Sequence, residues 1–239
     1  GFQQGNDAGE LQAATLCFVL TNVDEYAYRH GVRLHGNNPD SPIGAILEDS
    51  RYSEITDRHI NDKPIGPGAV GFNAGHIWDV DNTRPASVSA ALMQGRRTAH
   101  AFQRALAEYH PKAFANAWLA GTGSLMGIRE TRRIVGDYVL TAEDYDARRS
   151  FPDEICRNSY YLDVHCRPED THREKKAKYG RMGPGESHGI PYRCLTPRGI
   201  RNVLVAGRSI STDRAINGST RVMPVCLAMG EAAGLAAAM

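Results

Sequence analysis

The sequence predicts an α/β fold with α+β character. Three observations carry the prediction. Short β-forming runs alternate with turn-rich stretches. One long helical pattern interrupts them. The chain then closes with an apolar run, a polar loop and a helix built mainly of Ala, Gly, Met and Val.

The elements follow in chain order. Residues 13–21 are rich in β-formers and read as a strand. Residues 22–68 have weak periodicity, with turn clusters at 37–42 and 64–68. Residues 70–80, with Phe72, Ile77 and Trp78, read as extended. Next comes the strongest helical signal: Val88, Leu92, Gly95, Ala99, Phe102 and Leu106 recur at helical spacing, with Arg96, Arg97, Arg104 and Glu108 on the other side. Pro85 suits the first turn, Asp81, Asn82 or Thr83 is the expected cap, and His110-Pro111 marks the end. A shorter helix is expected over 113–119 and a strand over 134–140. Thr141-Ala-Glu-Asp144 has the form of a capping box. Further strands are expected at 160–164, 190–195 and 203–206. Residues 167–187 are charged and nearly devoid of apolar side chains, so they read as a surface loop or lid.

Composition narrows the classes. Apolar residues at 41% and charged residues at 23% fit a globular domain or two small ones, and a net charge of +1 gives no electrostatic case for nucleic acid or membrane. No apolar run is long enough to span a bilayer. Five widely spaced cysteines without a CxxC pair point to a reduced, cytoplasmic protein, with Cys17, Cys194 and Cys226 read as small buried hydrophobes. Cys156, Cys166, His165, His172 and His188 match no zinc spacing, so no metal is expected. The basic run at 173–178 is short and broken by Glu174, which suits a solvated loop better than a nucleic-acid site.

The C-terminal fifty residues carry the chemistry. A strand, a loop and a small-residue helix can hold a large, flat, charged cofactor. Gly207 and Gly218 allow close backbone approach, and the helix start offers free N–H groups and a positive dipole end. The plain alternative is a strand-to-loop turn and a helix packed closely on a sheet. Arg129, Glu130, Arg132 and Arg133 form a dense charged cluster; an Arg there could anchor a carboxylate, and a structural ion network is the plainer reading. His165 could act as an acid or base at neutral pH, with Asn158, His188, Tyr192 and Arg193 as further substrate-side candidates. No GxGxxG occurs between a strand and a helix, and there is no Walker A loop.

Three stretches together resemble the FAD-dependent oxidoreductase family, distantly related to the fumarate reductase and glutathione reductase flavoproteins. They are residues 127–144, residues 157–165 (Arg-Asn-Ser-Tyr-Tyr-Leu-Asp-Val-His), and the set 190–195, 202–211 and 218–224. The resemblance spans most of residues 70–239. It implies a substrate-type domain over 1–187 and, over 188–239, the strand–helix return of a Rossmann-like FAD-binding domain. It implies FAD as cofactor, with Gly207 and Arg208 near the pyrophosphate. Gly218, Ser219, Arg221, Val222 and Met223 would lie beneath the flavin pyrimidine edge, where helix N–H groups favour negative charge on N1 and O2. Arg129, His165 and Arg193 are the catalytic expectations, and hydride transfer between a small, anionic or polar substrate and flavin N5 is the expected reaction. The family's first, glycine-rich βαβ unit has no counterpart here, so an N-terminal FAD-binding segment is the expected partner. The alternatives are a cofactor-free binding or assembly module derived from a flavoprotein, and a nicotinamide enzyme, which would need the same glycine-rich turn.

Overall fold

The computed structural model of the chain describes residues 1–6, 8–165, 167 and 179–239. Among these the elements run β1 (Phe2–Gln4), β2 (Phe18–Thr21), α1 (Glu25–His30), α2 (Ile43–Glu48), β3 (Ile60–Gly66), β4 (Ala69–Ala74), α3 (Pro85–Tyr109), α4 (Pro111–Phe114), β5 (Trp118–Thr122), β6 (Arg132–Ile134), α5 (Ala142–Asp146), β7 (Glu154–Asn158), β8 (His188–Pro191), α6 (Arg214–Thr220) and α7 (Met223–Ala238). The mixed class is as expected, and the ladders among the described residues are antiparallel. Two compact units emerge: Ala13–Ile128, and Gly1–Gln12 with Arg129–Met239. The division expected at 187/188 therefore separates segments within the second unit, not two compact bodies.

In the first unit a four-stranded sheet has the order β3-β4-β2-β5. Alternation along β4 buries Val70, Phe72 and Ala74, and β2 buries Phe18 and Leu20. Phe18 stacks on Phe72 at 4.9 Å and on Phe102 of α3 at 5.7 Å, which joins sheet and helix. Helix α3 occupies the expected span and buries Ala91, Ala99, Phe102 and Leu106. Gly95 faces Leu16, whose Cβ would lie 2.6 Å from an added Cβ, so the helix can approach only because that carbon is missing. Its cap differs from expectation. Arg84 holds the N-cap position without a side-chain bond, and Asp81 instead closes the preceding turn by accepting from Thr83 N and Oγ1. The expected helix at 113–119 is also corrected. Helix α4 ends at Phe114, and residues from Trp118 onward pair with β2, where Trp, Leu and Thr suit a strand. Only Phe18–Thr21 of the expected first strand forms a ladder, with Ala14 and Thr15 in isolated bridges. Cys17 is exposed, contrary to expectation.

In the second unit β1 pairs with β6 and β7 with β8. The capping box forms as read: Thr141 accepts from Asp144 N, and Asp144 accepts from Thr141 N. Leu140, Tyr145, Leu162, Ile190, Leu195, Ile210, Ile216 and Met229 form the core. Several expected strands are corrected. Over 134–140 only Ile134 belongs to a strand; Gly136 is pressed against Ser211 Cβ and two carbonyls, and the chain continues through isolated bridges. Residues 160–164 form no ladder because side chains take their backbone groups: Asn158 Oδ1 accepts from Tyr160 N, and Ser219 Oγ donates to Tyr160 O. The strand expected at 190–195 runs instead from His188 to Pro191 and turns into a 3-10 helix over Tyr192–Cys194. Residues 203–206 are not a strand; Val205 N donates to Leu195 O, 2.9 Å away.

Residues 168–178 of the expected charged loop, Cys166, His172 and the basic run at 173–178 lie outside the described residues. Of its described residues, Tyr179 is buried and its hydroxyl donates to Glu143, whereas Gly183–Glu186 are exposed as expected. Cys194 is buried as expected, which pushes its thiol up to about 12, whereas Cys226 is half-buried. Among the described residues no single helix is long and apolar enough to cross a membrane; α6 and α7 meet that measure only as a pair bent by 89°.

Candidate functional site

Strand β7 ends at Asn158, and from there the chain passes along the end of α6. That helix starts at Asp213, whose carboxylate accepts from Ile216 N, and is buried along its whole length. Asn158 Nδ2 donates to Ser219 Oγ at 2.7 Å and faces His188 Nε2 at 3.4 Å. His188 is fully buried, with Nδ1 at 3.0 Å from the Gly189 carbonyl. A carbonyl can only accept, so Nδ1 carries the proton and Nε2 receives Asn158. Burial holds the His188 pKa below the ordinary histidine value, which keeps the ring neutral.

Asp163 is the hub of the site. Arg221 Nη2 donates to its carbonyl at 2.7 Å and to its carboxylate at 3.3 Å. His165 Nε2 lies 3.3 Å from the same carboxylate, and His165 N donates to Gln12 Oε1. Burial lowers the Arg221 pKa, opposed by the charge of Asp163, and a guanidinium starts so high that the group stays charged. Arg221 Nε and Asn217 Oδ1 are buried and have no hydrogen-bond partner among the described residues. Two unsatisfied groups of opposite polarity in one short segment mark a place where a ligand can complete the bonding.

A cavity of about 490 Å³ is lined by Asn158, Tyr160, Tyr161, Arg181, Met182 and Val222, the residue after Arg221. Arg181 sits over the Tyr161 ring at 4.3 Å. Burial, then the hydrogen bond with Tyr161, raises the Tyr160 pKa, so its hydroxyl remains a proton donor through the physiological range. Helix α7 begins at this cavity. Its N-cap, Val222, has no side chain able to cap it, and Pro224 occupies the first turn.

The expected residues fall into three groups. Arg221 and His165 meet at Asp163, with Ser219 joined to Asn158 and Tyr160. Gly218 lies on the same segment, but an added Cβ would sit 2.8 to 3.0 Å from Asp163 backbone atoms, so its bareness serves packing against Asp163. Val222 is half-buried and Met223 is 80% exposed at the start of α7. Gly207 takes φ +82°, which requires glycine, and nothing approaches closer than Cys226 Sγ at 4.0 Å. The Arg208 carbonyl accepts from Asn217 Nδ2. The two remaining residues make other pairings, although Glu130 accepts from Gln12 N, whose side chain accepts from His165 N. Arg129 is buried beside Glu130, which pairs with Arg133 and with Arg214 Nε at 3.1 Å, so the cluster is a buried ion network. Arg193 pairs with Asp153 at 3.0 Å and covers the Tyr138 ring, neither of which belongs to the Asp163 constellation. Sequence reading missed Asp163 and Tyr160. The Asp-Val-His spacing at 163–165 was the available signal.

A model of the family described as FAD dependent oxidoreductase matches residues 1–239. The chain belongs to the FAD-dependent oxidoreductase family. No curated protein and no solved structure shows a match. In the second unit Arg221 Nε is an unpartnered donor, Asn217 Oδ1 an unpartnered acceptor, Gly207 leaves open space and the start of α7 has no side-chain cap, groups of the kind a polar aromatic ring system such as a flavin needs. The adenylate end needs a glycine-rich strand–helix turn; the GxGxxG string at Gly66-Pro-Gly-Ala-Val-Gly71 instead joins the antiparallel strands β3 and β4.

Proposed function

We propose that this flavoprotein transfers hydride between a small anionic substrate and flavin N5, and that the Asp163–His165–Arg221 constellation serves that reaction. The observation that carries the reading is the shared carboxylate of Asp163, which holds both Arg221 and His165 beside the start of α7. Bound FAD supplies the two-electron chemistry; the chain supplies charge, orientation and a proton path. Arg221, whose bonds to Asp163 all come from Nη2, binds an anionic oxygen of cofactor or substrate through its other guanidinium nitrogens. His165 exchanges the accompanying proton at a ring nitrogen, and Asp163 fixes the ring's orientation. Arg208 and the Gly207 turn face the pyrophosphate. Residues 1–187 carry the substrate side and 188–239 the cofactor side.

A glycine-rich βαβ unit from outside these residues completes the site. Its docking face is the outer side of α7, where Met223, Leu227 and Leu235 are 80%, 74% and 65% exposed on a helix with a single charge, Glu231. That burden of exposed apolar surface on one helix is what an uncovered interface looks like. The test is the visible spectrum after FAD addition and desalting, taken on this chain alone and joined to such a unit. The joined protein should retain a perturbed flavin band that is weakened by Arg221→Ala. Bleaching by small carboxylates or hydroxy acids under anaerobic conditions then reads the reaction. A joined protein that stays colourless refutes the assignment and leaves a cofactor-free assembly module as the reading.

A further inference from the structure

The sheet unit holds a larger cavity, about 740 Å³, that the flavin reading does not use. It forms where α1, the turn before α2 and the junction of α3 with α4 come together. Its apolar wall includes Tyr26, Val32, Pro42, Tyr109 and Pro111. His30, Asp40 and Lys112 also line it, with His110 behind them.

The walls are held in place independently of any ligand. Gly31 turns the chain off α1; a Cβ there would lie 2.3 Å from the Ala27 carbonyl and 3.3 Å from the His110 ring, so a larger residue would close the approach. His110 is buried, its Nε2 is 3.2 Å from the Val32 carbonyl, and its ring meets Phe114 edge-on. The Tyr109 hydroxyl donates to Asp49 at 2.8 Å, and Ser41 Oγ donates to the Leu34 carbonyl at 2.9 Å. Tyr26 packs on His30 with ring centroids 4.6 Å apart. A preformed concave site with a few polar groups is the usual form of a small-molecule site.

The charges set the ligand's chemistry. Among the described residues neither Asp40 nor Lys112 takes part in an ion pair, although they share one cavity. A ligand carrying only an anion meets Lys112 and His30 but is repelled by Asp40. A ligand carrying only a cation meets Asp40 but is repelled by Lys112. A ligand with both charges and an apolar body satisfies every group. We propose that this cavity binds a zwitterion with a bulky apolar side chain, the class of the aromatic and branched α-amino acids, at a site separate from the flavin chemistry. The ammonium pairs with Asp40, the carboxylate with Lys112 and His30, and the side chain lies against Tyr26, Val32 and Tyr109.

The experiment is a calorimetric and NMR titration of the 239-residue chain, without FAD, with L-phenylalanine, benzoate and phenethylamine as probes. L-phenylalanine should saturate and bind more tightly than either single-charge probe. Lys112→Gln should weaken L-phenylalanine and benzoate by about two- to fivefold, as expected for partly exposed ion pairs, and spare phenethylamine. Asp40→Asn should do the reverse with phenethylamine. Ala45→Trp, which fills the cavity from an exposed position on α2, should abolish binding while leaving the melting temperature in place. No saturable binding, equal binding of benzoate and L-phenylalanine, or indifference to all three substitutions overturns the proposal. None of those results touches the flavin assignment, because no flavin is present in the titration.

Discussion

Gly218→Ala reads out what the bare Cα at that position is for. Two purposes are available, and they predict opposite signs in the protein without FAD. If the missing Cβ leaves room for a cofactor, alanine in the unliganded protein fills empty space on a helix and stabilises it by about 0.8–1.0 kcal/mol through helix propensity. The geometry argues otherwise. The added carbon would lie 2.8 Å from Asp163 C, 2.9 Å from Asp163 O and 3.0 Å from Asp163 N, and backbone cannot rotate away as a side-chain tip can. Either α6 or the irregular segment at 163 has to shift. Overpacking of this kind costs about 1–3 kcal/mol. The same shift strains the 2.7 Å hydrogen bond from Arg221 to the Asp163 carbonyl, and a hydrogen bond to a charged group contributes about 1.5–3 kcal/mol. Setting these losses against the propensity gain leaves a net destabilisation of about 1–3 kcal/mol. For a chain of this size that lowers the melting temperature by about 3–10 °C. Thermal unfolding of the FAD-free chain, followed by circular dichroism, measures it. A melting temperature that is unchanged or raised refutes the packing account and returns Gly218 to the cofactor.

The other predictions bear on charge. His188 has its folded pKa lowered by burial, so the unfolded chain gains a proton that the folded chain refuses as pH falls below about 6.5; the stability present above that pH is lost on acidification, and urea midpoints at pH 7.5 and 5.5 should diverge more in the parent than in His188→Gln. Arg221→Lys replaces the buried guanidinium, whose Nη2 alone donates to both oxygens of Asp163, with a shorter, more strongly hydrated ammonium, and should lower unfolding stability by about 1–3 kcal/mol and weaken flavin retention in the completed protein; equal denaturation midpoints would count against the hub. Asp57 is partly buried, which opposes its charge, but His76 Nδ1 at 2.9 Å and the His59 backbone N–H hold its pKa below the ordinary carboxylate value. Its ionised form therefore stabilises the fold above about pH 4 and ceases to do so as pH falls through the lowered value, so Asp57→Asn should flatten the acid limb of the stability–pH curve.

Sequence pattern revealed those parts of the fold that local physics decides. The span of α3 was legible because its apolar residues repeat at helical spacing over 25 residues and Pro85 fixes its start. The capping box at Thr141 was legible because both of its hydrogen bonds form within four residues. The failures share a cause. Residues 160–164 and 203–206 have strand-forming composition, yet a ladder also needs a neighbour's backbone groups, and here Asn158 and Ser219 take those of Tyr160. The same distinction separates the site residues. Motif resemblance located the segment around Gly218, Ser219 and Arg221, but it could not show that Gly218 is spent on Asp163, or that Arg193 belongs to a surface pair with Asp153.

The hub explains why these residues have to be read together. Asp163 offers its carbonyl to Arg221, its carboxylate to both Arg221 and His165, and its backbone to the bare face of Gly218. Each of those contacts constrains the others. Moving the backbone to admit a Cβ at Gly218 moves the carbonyl that orients Arg221, and the uncommitted Nε of Arg221 moves with it. Packing at a buried glycine thus sets the direction of Arg221 Nε, which is buried and has no partner among the described residues. A substitution at Gly218 should therefore alter ligand affinity without touching the ligand, and the loss should track the loss of stability. If Gly218→Ala weakens flavin retention while the melting temperature is unaffected, the glycine contacts the cofactor directly; if both fall together, the hub transmits the change.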